Sequence, residues 1–194
     1  VRKTVNGTPT YFVYNGEQII QERASGGTVS AEYVFGSGID EVLTMDRGGN
    51  TYYYHTDALG SVTEITDATG SLVENYTYDP YGQPSLTASA IGNRFMFTGR
   101  EWDVESGLYH YRARAYSPTI GRFLQRDPIG IADNLNRYSY VENNPTNYFD
   151  SRGLAAETVS DYATWQLSLY YFSTQPSLVT GASLLYDSVA LGVP

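Results

Sequence analysis

Residues 51–78 read TYYYHTDALGSVTEITDATGSLVENYTY, and this stretch decides the fold. Three β-type runs, Thr51–His55, Val62–Thr66 and Leu72–Tyr78, are separated by Asp57-Ala58-Leu59-Gly60 and Asp67-Ala68-Thr69-Gly70. The runs are rich in Tyr, Val and Thr, whose aromatic or branched side chains pack on a pleated surface, while glycine supplies the positive φ of a tight turn. Short strands joined this way predict consecutive antiparallel hairpins.

The same texture runs upstream. Thr10–Tyr14 leads through Asn15-Gly16 to Glu17–Arg23, then through Gly26-Gly27 to Val29–Phe35, and Glu41–Met45 is followed by Gly48-Gly49-Asn50. Tyr33-Val34-Phe35 after Gly27 corresponds loosely to Tyr76-Thr77-Tyr78 after Gly70, so a hairpin unit repeats. A lone hairpin cannot bury its apolar face, and neighbours stacked into one sheet are the expected architecture. With 19 Tyr, 7 Phe, 19 Gly and 8 Pro, the composition fits an all-β fold better than a helical bundle.

Composition also narrows the function. Twelve basic against 21 acidic side chains leave a net charge of −9, which repels phosphate backbones and anionic membranes, so no nucleic-acid partner is expected. With no cysteine there is no disulfide or thiolate metal site, and His55 and His110 lie too far apart in sequence to suggest a zinc site. No metal or cofactor is expected. No run reaches the ~18 apolar residues of a membrane span, and no signal peptide opens the chain. A start at Val1 rather than Met, with hairpins running by Thr10, and an end at Gly192-Val193-Pro194 read as an excerpt of a longer polypeptide.

Beyond the repeats the pattern changes. Residues 83–93 are small and polar and predict a loop. Leu108–Tyr116 alternates as one strand, with Tyr109, Tyr111, Ala113 and Ala115 on one face and His110, Arg112 and Arg114 on the other. Residues 117–154 hold Ser117-Pro118, Asp127-Pro128-Ile129-Gly130, Asn143-Asn144-Pro145 and Asp150-Ser151-Arg152-Gly153, which predict an irregular, turn-rich plug with a helical turn or two around Leu135–Val141. After Leu154, Val159, Ala163, Leu167, Tyr170 and Tyr171 fall at helical spacing with Thr158 as N-cap, and a second amphipathic stretch restarts at Pro176-Ser177.

Several of these stretches resemble one family. Tyr53 to Ser61 and Tyr76-Thr77-Tyr78-Asp79-Pro80-Tyr81-Gly82 resemble the YD repeats of Rhs proteins. Leu108 to Tyr116, Gly121-Arg122-Phe123, Arg126-Asp127-Pro128-Ile129-Gly130, Asn134 to Val141, Asn144-Pro145 and Asp150-Ser151-Arg152-Gly153-Leu154 resemble the Rhs repeat-associated core domain. The resemblance covers roughly residues 10–154. It implies a spiralling, hollow shell of stacked antiparallel hairpins (1–82), closed by a core-domain plug (83–154), with 155–194 as the start of an enclosed, helical pretoxin segment. It further implies polymorphic-toxin or Tc-toxin C-component roles: self-cleavage after Leu154 that leaves Ala155 as a new N-terminus, the chain's own C-terminal toxin as partner, a secretion-system or toxin-delivery component as a second partner, and a secreted or cell-surface destination.

Carboxylate-driven peptide hydrolysis needs two carboxyl groups close together, one ionised to activate water and one protonated to polarise the carbonyl. Asp127 and Asp150, 23 residues apart (150 − 127), each head a turn that ends in glycine. Arg114 matches the family's associated arginine and would hold or orient a carboxylate. Asp150 lies four residues (154 − 150) from Leu154, so one motif would supply a carboxylate and the scissile bond, and a single turnover in cis would need no substrate cleft. Ser151 stands where the family often has proline. The competing expectation is structural. Aspartate at the head of such a turn ordinarily caps its own backbone, arginine on a half-exposed strand often makes only surface pairs, and the tyrosines are sheet rungs. A non-cleaving structural surface or wall protein therefore stays open, as does a two-carboxylate hydrolase acting on external glycans.

Overall fold

A computed structural model describes residues 1–130 and 135–158 of the 194. The seven predicted runs are all strands of consecutive antiparallel hairpins. β1 (Arg2–Val5), β2 (Thr8–Asn15), β3 (Gln18–Arg23), β4 (Val29–Phe35), β5 (Val42–Arg47), β6 (Asn50–Thr56), β7 (Val62–Asp67) and β8 (Leu72–Asn75) form one antiparallel sheet in chain order. The sequence reading missed β1, whose Arg-Lys-Thr-Val run lacks the aromatic signal. Bulges at Val13/Tyr14, Glu22/Arg23, Val34/Phe35, His55/Thr56 and Ile65/Thr66 add local twist to the strands.

One face of this sheet is buried. Phe12, Ile19, Ala31, Tyr33, Val42, Met45, Tyr54, Val62 and Ile65 point into it, each large side chain contributing about 1.5–3 kcal/mol. Residues 83–93, read as a loop, cross this face, and together with Arg94, Arg47 and Tyr33 they satisfy its buried polar groups. Glu22 accepts from Arg94 (2.7 Å), Arg47 (2.8 Å) and the Tyr33 hydroxyl (2.8 Å). Glu74 takes the Ala90 (2.6 Å) and Ile91 (3.2 Å) amides, and Asn93 accepts from Tyr54 at 2.8 Å. A buried carboxylate left unpaired would be costly, which is why the crossing segment is small and polar rather than apolar. The 33–35 and 76–78 repeat diverges here: Tyr33 to Phe35 finish β4, whereas Tyr76 to Tyr78 leave the sheet and Tyr78 bridges to Pro84.

A second sheet follows, ordered β12-β11-β10-β9, with β9 (Glu101–Asp103), β10 (Leu108–Tyr111), β11 (Arg114–Ser117) and β12 (Arg122–Phe123). Here the expected single strand from Leu108 to Tyr116 is corrected. The chain reverses at Arg112-Ala113, Arg112 adopting φ 47°, and Tyr111 pairs with Arg114 while Tyr109 pairs with Tyr116. The reversal breaks the alternation and turns Arg114 onto the buried face with Tyr109, Tyr111 and Tyr116. Those rings, with Phe97, Phe123 and Tyr140, form a cluster with centroids 4.4–6.4 Å apart.

The turn-rich prediction for 117–154 is matched, with one shift. The helical turn expected around Leu135–Val141 is a 3-10 turn at Val141–Asn143, and Leu135 is exposed. β13 (Tyr148–Phe149) pairs with β14 (Glu157–Thr158), so Thr158 ends a strand, and its reading as an N-cap turns on residues outside those described. The helices expected beyond it lie outside the described residues.

Candidate functional site

Asp-x-x-Gly turns recur through the described residues, and their geometry is common. In the hairpins, Oδ1 of Asp57 accepts the amides of Leu59 (2.9 Å) and Ser61 (2.8 Å). Asp67 does the same for Thr69 and Ser71, and Asp79 for Tyr81 and Gln83. Asp127 Oδ1 accepts Ile129 at 2.9 Å. Asp150 Oδ1 accepts Arg152 (3.2 Å), Gly153 (2.7 Å) and Leu154 (3.0 Å). The backbone-capping role expected of such aspartates is therefore present at both candidate positions.

The second carboxylate oxygen sets the two apart. Asp57 and Asp79 are exposed, whereas Asp127 and Asp150 are 4% and 2% exposed. Their Oδ2 atoms converge on one cation: Arg114 Nη1 lies 3.1 Å from Asp127 and Nη2 3.3 Å from Asp150. The same guanidinium donates from Nε to the Gly153 carbonyl (2.6 Å) and stacks on Phe123 with its carbon 3.6 Å from the ring centroid. The three expected site residues thus meet, although they sit on β11 and two separate turns. Planar, five-donor geometry lets one arginine bridge two carboxylates and a carbonyl where a lysine could not.

Two anions and one cation in a buried space favour the uptake of a proton. Burial raises the pKa of Asp150 above the ordinary carboxylate value, opposed by the Leu154 amide, Arg114 and the amides of Gly153 and Ala155. The amide of the Leu154–Ala155 bond itself and the Leu154 amide that precedes it therefore both act on the Asp150 carboxyl. Leu154 and Ala155 are themselves half-buried.

Three neighbours were not singled out from sequence. Glu157 accepts from the Ser151 hydroxyl at 2.8 Å, and burial pushes its carboxyl up to about 7, with Asp150 adding to the effect. Gly153, at φ +70°, seats its turn against the hairpin tip formed by Tyr111 and Arg114. Arg112 donates to the Ser151 carbonyl and to Asp40, a residue of the first sheet's β4–β5 connection. Nothing in local sequence distinguishes these residues from ordinary turn and surface positions. Among the described residues no cluster of His, Cys, Asp or Glu is arranged to hold a metal ion, and no helix is long and apolar enough to cross a membrane.

The model of the teneurin YD-shell family matches residues 2–171. The chain belongs to that family. This YD-shell chain is 34% identical over 162 residues to the tRNA3(Ser)-specific nuclease WapA of Bacillus spizizenii, covering 79% of the chain and 7% of the nuclease. It is 32% identical over 149 residues to the double-stranded DNA deaminase toxin A of Burkholderia cenocepacia, covering 74% of the chain and 10% of the toxin. Among solved structures, TcdB2–TccC3 superposes with a TM-score of 0.62 at 25% identity, over 79% of the chain and 8% of that structure's chain. The YD-shell chain therefore spans about a tenth or less of the length of these relatives. The Rhs/YD-repeat resemblance read from the motifs holds, as does the all-β hairpin fold it implies, and toxins figure among the relatives.

Proposed function

We propose that this chain is the closing part of a toxin-enclosing shell and that it cuts itself once, between Leu154 and Ala155. The observation that carries the reading is the convergence of two buried carboxylates on Arg114, with one of them bonded to the Leu154 amide. Asp150, whose acidity burial weakens, is assigned the role of general acid, and Asp127 that of general base. Asp127 takes a proton from water as the oxygen attacks the Leu154 carbonyl carbon. The C–N bond breaks, the Ala155 nitrogen leaves with a proton from Asp150, and Leu154 becomes a carboxylate. The scissile bond is tethered four residues from Asp150, so proximity replaces substrate binding and one turnover completes the task.

In this reading residues 1–82 are shell, 83–154 the core-domain plug and 155–194 the start of a cargo. The cargo is the chain's own C-terminal toxin, and the whole is secreted or delivered to a cell surface with a secretion-system or toxin-delivery component as partner. The toxin names of the relatives support that assignment. Intact mass under denaturing conditions tests it. Two species meeting at Leu154/Ala155 are expected, with Asp127→Asn and Asp150→Asn each leaving one uncut species. A mutant that still splits there overturns the dyad.

A second reading is a structural YD-repeat surface or wall protein that never cleaves. It is favoured by the backbone-capping Asp turn that Asp127 and Asp150 share with the hairpin turns at Asp57, Asp67 and Asp79. A single full-length mass from folded protein would establish it.

A further inference from the structure

Asp40 sits in the β4–β5 connection of the first sheet at φ 60°, with its side chain 8% exposed. Its Oδ1 lies 2.7 Å from Arg100 Nη1 and 2.6 Å from Arg112 Nη2, and its Oδ2 accepts from Arg112 Nη1 at 3.0 Å. Arg100 is buried and ties the same carboxylate to the second sheet by donating to the His110 carbonyl (2.7 Å). Arg112, at the tip of the β10–β11 hairpin, passes the contact on by donating to the Ser151 carbonyl, next to Asp150. The adjacent Ala113 amide donates to the Arg152 carbonyl at 3.2 Å. A carboxylate 110 residues upstream of Asp150 (150 − 40) thus fixes the hairpin tip on which the Asp150 turn rests.

We propose that Asp40 is a positioning residue that makes the Asp150 turn, and with it self-cleavage, dependent on a folded hairpin sheet. The proposal deepens the self-cleavage reading and rests on it for its consequence, though not for its geometry. Until the first sheet folds and presents Asp40, together with the exposed Glu17 that lies 3.2 Å from Arg112 Nε, Arg112 has no carboxylate to neutralise it and its donor arm is not aimed at Ser151. The bond would then be cut after the container has formed, not before. Bidentate pairing of Arg112 with Asp40 matters here, because it fixes the plane of the guanidinium and so the direction of its remaining donor.

The test uses the full chain with its shell and two readouts: appearance of the two mass species after refolding, and amide hydrogen exchange resolved to residues 150–154. Asp40→Asn is the first variant, since asparagine tolerates positive φ and keeps the side-chain shape while it loses the charge and one of the two acceptor oxygens. Cleavage is expected to slow by about tenfold or more, and the Arg152, Gly153 and Leu154 amides to exchange faster by a similar factor, with β3–β7 unchanged. Arg112→Lys is the second variant. It keeps a cation for Asp40 but loses the donor arm to Ser151, and should reproduce the effect even where Asp40→Asn loosens the sheet. Adding Asp40→Asn to Arg112→Met should slow cleavage no further than Arg112→Met alone. Unchanged exchange at 152–154 in both single variants, or additive effects in the double, overturns the proposal. Failure of the wild type to split refutes the self-cleavage reading, and the exchange data still decide the role of Asp40.

Discussion

Replacing Gly153 with alanine should slow self-cleavage about a hundredfold while leaving the hairpin sheet folded. At φ +70° an L side chain costs about 1–2 kcal/mol. Strain is the smaller effect. The added Cβ would fall well inside contact of the Tyr111 carbonyl oxygen and 3.2 Å from the Arg114 amide nitrogen, both backbone atoms of the hairpin that cannot swing aside. Restoring ordinary contact moves the turn by about 1 Å in a tightly packed interior. That shift lengthens the 2.6 Å bond from Arg114 Nε to Gly153 O and the 2.7 Å bond from Gly153 N to Asp150 Oδ1. The first is charge-assisted and worth about 1.5–3 kcal/mol, and the second, to a protonated carboxyl, about 0.5–1.5 kcal/mol. A misplacement of about 1 Å at reacting groups typically costs about 10²-fold in rate. The control is Gly130→Ala in the sister turn, at φ +89°, where the added Cβ meets nothing within 4 Å among the described residues. That variant should bear strain alone and cleave within about threefold of wild type. The assay is a time course of intact masses after refolding from denaturant. If Gly153→Ala cleaves as fast as Gly130→Ala, the seat of the Asp150 turn on the hairpin has no bearing on the chemistry.

Arg114→Met should destabilise the second sheet by about 3–5 kcal/mol, because two buried carboxylates lose their shared cation, and chemical denaturation will read the loss. Lowering the pH below the carboxylate range should restore part of it. Glu157 gives a pH signature of its own. Its carboxyl titrates near 7 in the fold against an ordinary 4.5, so its stabilising contribution is complete below about 4.5 and is lost as pH rises through about 7. The gap corresponds to roughly 1–3 kcal/mol once partial exposure is allowed for. The β13–β14 amides should therefore open more readily at pH 8 than at pH 6, and Glu157→Gln should flatten that dependence; an unchanged slope counts against Glu157 as its source. Asp79→Ala removes two turn hydrogen bonds at an exposed position and should cost about 1 kcal/mol in thermal stability without altering cleavage.

The sequence by itself determined the sheet. Alternating Tyr, Val and Thr with glycine-ended turns leaves one apolar face per hairpin, and that face can be buried only by the next hairpin, so order and pairing follow from local chemistry. It also marked Asp127, Asp150 and Arg114, through motif resemblance and not through their surroundings. What the sequence could not decide is why these aspartates differ from Asp57, Asp67 and Asp79, since all five head the same four-residue turn. That difference is made by Arg114, and its place depended on a reversal at Arg112-Ala113 that period-two alternation conceals. A two-residue turn without glycine leaves little trace in sequence, yet it moves every later side chain to the other face. The contacts that complete the site join residues 13 to 72 positions apart: Arg114 with Asp127 and Asp150, and Asp40 through Arg112 with Ser151. Burial and convergence of charge are properties of the packed chain, and only the tertiary structure decided them.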